Sequence, residues 1–286
     1  MSLPRGALFE DLDAFALVAA PLTQRVRMIY WLKVMREWAL ITGASTGIGL
    51  ELAEVLADAG FNLALLARNL DRLQVVSDEL RAVHRIETRV LPIDLSVPGA
   101  AAKTFESLRD VPISALVNNA GFGTYGPFAQ SDLPSQSGIM QVNIVALVEL
   151  TRLFVQPMLG RRAGRILNVA STAAFQPGPM VSVYYASKAF VFSFSYALSD
   201  ELKDTGVTVT ALCPGMTKTE FQKRANLRES HSWPMMSARA VAEAGYAGMM
   251  KGKRVVIPGV FNRIGSFFAR RVPLRLTSAI VRRIHA

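Results

Sequence analysis

The sequence predicts an α/β fold: one doubly wound parallel sheet of about seven strands with helices on both faces. Three observations carry this prediction. Short apolar strand patterns alternate with helical patterns along the chain. A glycine-rich turn joins the first strand to the first helix. The chemistry-bearing residues fall at the carboxyl ends of strands or on the helices that follow them, where sheets of this kind hold their ligands.

The first strand is Trp38-Ala-Leu-Ile-Thr42, short, apolar and β-branched at its end, as a buried parallel strand should be. It runs into Gly43-Ala44-Ser45-Thr46-Gly47-Ile48-Gly49, after which Leu50, Leu52, Ala53, Val55, Leu56 and Ala59 recur at helical spacing. Glycines at such a turn let the backbone approach a ligand without Cβ obstruction, and the amides that open the helix face an anion such as a pyrophosphate. Further strands are expected at 62–67, 87–91, 114–118, 164–169, 207–212 and 254–257. Helices are expected at 47–59, 69–82, 97–109, 135–159, 182–203 and 238–250. At 286 residues, 51% of them hydrophobic, the chain can cover both faces of such a sheet as one core over 38–260. No internal repeat, low-complexity tract or linker marks a second domain.

Tyr184 and Lys188 are four residues apart on the helix expected at 182–203, with Ser171 thirteen positions before the tyrosine. One helical turn puts the phenol and the ammonium on the same face. A free tyrosine titrates at about 10, and a nearby ammonium lowers that value by roughly 1–3 units. The pair is therefore a candidate general acid/base, and Ser171 a hydrogen-bond partner for an oxygen on which charge develops. Tyr-x-x-x-Lys alone occurs by chance on many surface helices. The phosphate-cradle turn upstream is what gives it weight.

Together these segments resemble the classical short-chain dehydrogenase/reductase family. Thr42 to Gly49 matches its Thr-Gly-x-x-x-Gly-x-Gly turn and Asn118-Asn-Ala-Gly121 its Asn-Asn-Ala-Gly segment. Asn143, Ser171, Tyr184 and Lys188 match its catalytic tetrad, and Pro214-Gly215 with Thr219 its Pro-Gly-x-x-x-Thr element. The resemblance runs from about Trp38 to about Pro258. It implies a Rossmann-type dinucleotide-binding catalytic domain in which hydride passes between a nicotinamide and a carbonyl or secondary alcohol. Ser171 and Tyr184 would bind the substrate oxygen, Tyr184 would transfer the proton, Lys188 would lower the tyrosine pKa, and Tyr184 and Lys188 would both reach the nicotinamide ribose. Asn143 would hold a water that links Lys188 to solvent. The resemblance also implies that Asp94 touches the adenine, Asn118 the ribose region and Thr217 the carboxamide, and that the protein is a homo-oligomer. Tyr185, one residue off the motif, is assigned to packing.

The cofactor follows from the end of the second strand, Leu65-Leu66-Ala67-Arg68. Ala67 stands where an NAD-binding fold places an acid, and Arg68 can pair with a 2′-phosphate, so NADP is expected over NAD. Phe122 and Tyr125, then Phe175, Pro177, Pro179 and Met180, then Met216, Phe221, Trp233, Met235 and Met236 lie on three loops at one rim. Two readings stand: an apolar pocket for a bulky, hydrophobic ketone or aldehyde, or core residues beneath those loops. An alternative to an enzyme is a nucleotide-binding regulatory module with little turnover, which would have no need of a proton donor.

The only cysteine, Cys213, excludes an intrachain disulfide, suits a reducing, cytoplasmic setting, and reads as a small buried side chain. The three histidines are scattered, with no metal-ligand spacing. No uninterrupted apolar run reaches the ~18 residues that cross a bilayer. The net charge of +10 comes without a nucleic-acid-binding module, which disfavours that partner. Residues 1–37 form an extension with an acidic patch at Glu10, Asp11 and Asp13, either an added amphipathic helix or, up to residue 34, an over-extended reading frame. The tail 261–286 alternates hydrophobic and basic residues in helix-sized pieces broken by Pro273. Two readings stand for it: peripheral contact with an anionic membrane, or packing on the body or a second subunit.

Overall fold

Alternation of side chains across each strand builds two cores, one on each face of the sheet. In β1 (Trp38–Thr42), Ala39 and Ile41 enter one core while Trp38 and Leu40 enter the other. The computed structural model describes residues 36–221 and 235–285. The extension expected over 1–37 lies almost wholly outside them, and so does Trp233.

Among the described residues six more strands join β1 in one parallel sheet: β2 (Asn62–Ala67), β3 (Thr88–Pro92), β4 (Ile113–Asn118), β5 (Gly164–Val169), β6 (Val207–Leu212) and β9 (Val255–Val256), in the order β3-β2-β1-β4-β5-β6-β9. The order reverses between β1 and β4, which opens a crevice beyond their carboxyl ends. Two short strands absent from the sequence expectation, β7 (Thr217–Lys218) and β8 (Met236–Ser237), pair beside it.

Among the described residues the α-helices are α1 (Gly47–Asp58), α2 (Leu70–His84), α3 (Ala100–Ser107), α4 (Leu133–Met140), α5 (Leu147–Arg161), α6 (Ser182–Glu201), α7 (Ala238–Met250), α8 (Val260–Ala269) and α9 (Leu274–His285). Residues of α1, α2 and α7 fill the first core; those of α3 and α5 fill the second. A smaller third cluster holds Cys213, fully buried, with Phe175 and Val191.

The helix expected at 135–159 is three pieces. A π-helical turn, Gln141–Ala146, joins α4 to α5 and carries Asn143. The continuous helix Leu133–Arg161 has the length and, over its best window, the mean hydropathy (1.5) of a membrane span. Polar residues such as Gln136, Gln141 and Asn143 interrupt its apolar run. Half of that window is buried in the protein, and Leu150, Phe154 and Met158 pack on the sheet, as in a core helix. The last strand is shorter than expected because only Val255 and Val256 find partners, Ala211 and Leu212.

A buried polar chain fastens β4 and β5 to the helices above them. Asn118 Nδ2 donates to Thr151 Oγ1 (3.0 Å) and Asn168 Oδ1 (2.9 Å), Asn168 Nδ2 donates to Ser195 Oγ (2.9 Å), and Ser195 Oγ donates to the Val191 carbonyl (2.6 Å). Loss of one member strands its neighbours in a low-dielectric interior. Asn168→Ala should therefore lower unfolding stability by about 2 kcal/mol in urea titration, against less than about 0.5 for exposed Ser107→Ala. Equal costs would show that the chain of hydrogen bonds contributes nothing.

Candidate active site

The switch point is stitched before any ligand enters. Thr42 Oγ1 accepts from the amides of Asn119 and Ala120, both at 2.9 Å, and Asn119 Nδ2 donates to the carbonyls of Thr42 (2.9 Å) and Gly43 (3.3 Å). Gly47 turns into α1 at φ +59°, a conformation side chains rarely adopt. A Cβ on Gly49 would overlap the Gly43 carbonyl oxygen. Thr46 precedes α1 without a side-chain hydrogen bond to its amides, and no acid stands in the first turn. That helix start is therefore open to an anion.

The four residues of the expected tetrad gather at the other side of the same opening. Tyr184 and Lys188 share a face of α6, with the ammonium 5.8 Å from the centre of the phenol ring. Tyr184 hydrogen-bonds with Ser171, whose Oγ also accepts from the Ala173 amide at 3.1 Å. Lys188 Nζ donates to the Val169 carbonyl at 2.8 Å, where β5 ends. Asn143 braces the loop between them: its Oδ1 accepts from Phe122 N (3.1 Å), and its Nδ2 donates to Phe122 O (3.0 Å) and to Ser187 Oγ (3.0 Å). A Cβ on Gly121 would lie 3.0 Å from Asn143 Oδ1 and 3.3 Å from Lys188 Nζ. The glycine is what lets that loop pass between the two side chains.

The expected depression of the tyrosine pKa is not found. Burial pushes Tyr184 up to about 12, against a smaller lowering by the Ser171 hydrogen bond. Burial also brings Lys188 down to about 8. A neighbouring charge alone would lower the phenol, but desolvation outweighs it, and the lysine's hydrogen bond goes to a carbonyl rather than to the phenol.

One crevice of about 1100 Å³ joins the two sides; Asn143 and Gly49 are buried behind its wall and do not line it. Gly43, Ser45, Thr46, Gly47, Ile48, Arg68, Asp94, Pro214, Gly215 and Thr217 all face it, as do Ser171, Tyr184 and Lys188. Asp94 is held by the amide and hydroxyl of Ser96, at 2.9 and 2.8 Å. Asn118 is a correction. Its side chain belongs to the buried chain toward Thr151 and Asn168, and Asn119, Ala120 and Gly121 line the crevice in its place. The aromatic candidates also divide. Phe122, Met216 and Phe221 line the crevice, and the Phe221 ring lies 5.2 Å from that of Tyr184. Phe175 is core, packed on Phe192 at 4.9 Å; Tyr125 and Met180 border a smaller cavity of about 340 Å³.

Sequence reasoning missed three contributors. Arg72, one turn beyond Arg68, also lines the crevice and pairs with Glu220 at 3.3 Å. Tyr185 packs over Gly178, as assigned, and in doing so also forms part of the crevice wall. The far wall comes from α8 and α9 through Phe261, Phe268, Ile280 and Val281. A motif at a fixed offset finds none of these, because they reach the crevice only through the fold.

A glycine-lined nucleotide cradle facing a Ser/Tyr/Lys cluster across a parallel sheet defines a class of dinucleotide-dependent fold. The chain belongs to the classical short-chain dehydrogenase family, whose family model, described as short chain dehydrogenase, matches residues 37–230. It is 36% identical over 200 residues to 17-beta-hydroxysteroid dehydrogenase type 3 of Mus musculus, 68% of this chain and 65% of that protein. It is 34% identical over 191 residues to the very-long-chain 3-oxoacyl-CoA reductase of Rattus norvegicus, 65% of this chain and 61% of that protein. The match thus spans less than two thirds of the length of these curated relatives. A solved short-chain dehydrogenase from Sphingobium yanoikuyae in complex with NADPH superposes with a TM-score of 0.76 at 32% identity, covering 82% of this chain and 93% of that one.

The buried lysine has a consequence for stability. Its folded value, about 8, lies below its unfolded value of 10.5, so between these pH values the unfolded chain binds a proton that the folded chain does not. Stability should rise with pH across that window by about 3 kcal/mol relative to Lys188→Met, and the opposing effect of Tyr184 begins only above about pH 10. Urea midpoints of both proteins from pH 7 to 10 measure this. A difference that stays flat with pH would show that the ammonium is not desolvated.

Proposed function

We propose that this chain is an NADP(H)-dependent oxidoreductase that moves hydride between the nicotinamide and a carbonyl or secondary alcohol of a hydrophobic substrate. The observation that carries this reading is the convergence of Ser171, Tyr184 and Lys188 on the crevice that the Gly43–Gly49 turn opens.

The residues present fit a dinucleotide: a helix start with no side-chain cap, a turn whose glycines a side chain would obstruct, and Asp94 on the same crevice, where it would meet the adenine. When bound, the nicotinamide supplies the hydride. Ser171 Oγ and the Tyr184 hydroxyl orient the substrate oxygen, and Tyr184 gives it the proton. A phenol at about 12 stays protonated at neutral pH, which suits a donor in the reductive direction. Lys188 supplies positive charge beside the phenolate that this transfer leaves, and it grips the ribose. Asn143 acts as the brace that fixes the Gly121–Phe122 backbone against α6. In the wider proposal Asn143 also holds the water that leads from Lys188 to solvent.

NADP over NAD rests on Ala67, which leaves no carboxylate at the end of β2, and on two guanidinium groups, Arg68 and Arg72, at the same edge. A hydrophobic substrate rests on Phe122, Met216, Phe221, Phe261 and Phe268 around the opening. The relatives named for steroid and long-chain acyl substrates point the same way. We place the protein in a reducing, cytoplasmic compartment on its one buried thiol and propose a homo-oligomer, for which exposed Leu133, Met140 and Val145 offer apolar surface.

NADPH consumption with a panel of bulky ketones tests the reading. Tyr184→Phe should cut kcat by roughly 10²–10⁴-fold, far more than it weakens NADPH binding read by fluorescence. Turnover that survives the substitution would remove the role given to the phenol. Arg68→Ala with Arg72→Ala should narrow the preference for NADPH over NADH by roughly ten-fold or more through KM. An unchanged preference would place 2′-phosphate recognition elsewhere.

A further inference from the structure

The two C-terminal helices are inverted. On α8, polar Asn262 and Ser266 are buried while Val260, Phe261, Ile264, Phe267 and Phe268 are exposed. On α9, Thr277 and one apolar residue, Val281, are buried while Leu274, Leu276 and Ile280 are exposed. The eight exposed apolar side chains keep between 48% and 69% of their surface. Ser266 Oγ, on the inward side, has no hydrogen-bond partner. A helix that only packed on the body in water would place its phenylalanines inward and its serine outward. Contiguous apolar surface of this kind marks a contact with something else.

Charge identifies the occupant. From Gly259 to Ala286 the chain carries six arginines (263, 270, 271, 275, 282 and 283) and no aspartate or glutamate. All six are exposed. Arg271 stacks on Phe267 with its guanidinium 3.6 Å from the ring centre, so cationic and apolar groups form one surface. Apolar side chains flanked by arginines fit the boundary of an anionic bilayer, where rings enter the acyl region and guanidinium groups meet headgroup phosphates. A second copy of this chain would bring its own six arginines against these and gain no charge complementarity.

The same face borders the crevice. Phe261, Phe268 and Ile280 are exposed and also line it, together with Ala269, Val272 and Val281. The mouth of the cavity therefore lies among the groups that would touch lipid.

We propose that α8 and α9 dock on an anionic lipid surface and make the crevice mouth a portal through which a membrane-dissolved carbonyl or alcohol reaches Tyr184. The docking stands on the surface alone; the portal rests on the functional reading above.

The full chain is floated with vesicles of phosphatidylcholine alone and of phosphatidylcholine containing phosphatidylserine. The variant Ile264→Glu/Phe267→Glu changes two exposed side chains that do not line the crevice. Binding to the anionic vesicles should exceed binding to the neutral ones by roughly ten-fold, weaken with salt, and fall by a similar factor in the variant. With anionic vesicles present, the variant should turn over a long-chain ketone roughly ten-fold more slowly, at an unchanged rate on a water-soluble ketone. Chain that stays at the bottom of the gradient with both vesicles overturns the docking. A dimer that the variant dissolves, with no vesicle binding, gives the face to a second copy and overturns it as well. Binding with equal loss on both ketones removes the portal. Flotation is read without turnover, so a chain that floats but reduces no ketone fails the functional reading alone.

Discussion

A charged amine held away from water is the constraint around which this crevice is organised. Lys188 retains 5% of its surface, and one carbonyl, that of Val169, receives its hydrogen bond. Isolated burial of an ammonium is costly, and Lys188 meets the cost partly by titrating lower. The surrounding backbone is arranged to admit it: β5 ends where its last carbonyl can turn to the amine, and the Gly121 loop passes with no side chain in the way. Asn143 then holds that loop by both its amide and its carbonyl, which needs a side chain offered from the π-helical turn. Such single turns inside α-helices are frequent at functional sites.

The same constraint explains why Tyr184 sits high. A site dry enough to depress a lysine also penalises a phenolate, and the two shifts have one cause. The phenol is thereby held protonated at neutral pH, with the ammonium 5.8 Å from its ring centre.

The strand pattern and the glycine turn were legible in the sequence because period two and a strand-to-helix turn are local signals. Trp38–Thr42 and Asn62–Ala67 fall where the pattern places them. The π-helical turn was not legible, since 141–146 holds no proline or glycine and helical spacing accommodates the polar Gln141 and Asn143 there. The side chain of Asn118 was misplaced although parity held the answer: it lies on the same strand face as Leu116, hence toward α5 rather than toward the crevice. Arg72 escaped because its approach depends on the angle at which α2 leaves β2. The pKa of Tyr184 escaped because burial is a property of the assembled fold.

The C-terminal helices show how far local reading reaches. Hydrophobic and basic residues at helical spacing announce an amphipathic segment, but spacing cannot say which face turns inward. The body decides that: Asn262 fits against Gly215, where a Cβ would collide with its amide, and donates to the Pro258 carbonyl at 2.8 Å. Arg270 lies over Phe175 at 4.0 Å and Phe192 at 5.1 Å, behind the turn that follows Ser171. These contacts orient α8 by its polar side chains and cations, which leaves its phenylalanines outside. A helix anchored in this way joins the reaction crevice to the surface, since it cannot shift without disturbing Gly215 and the turn behind Ser171.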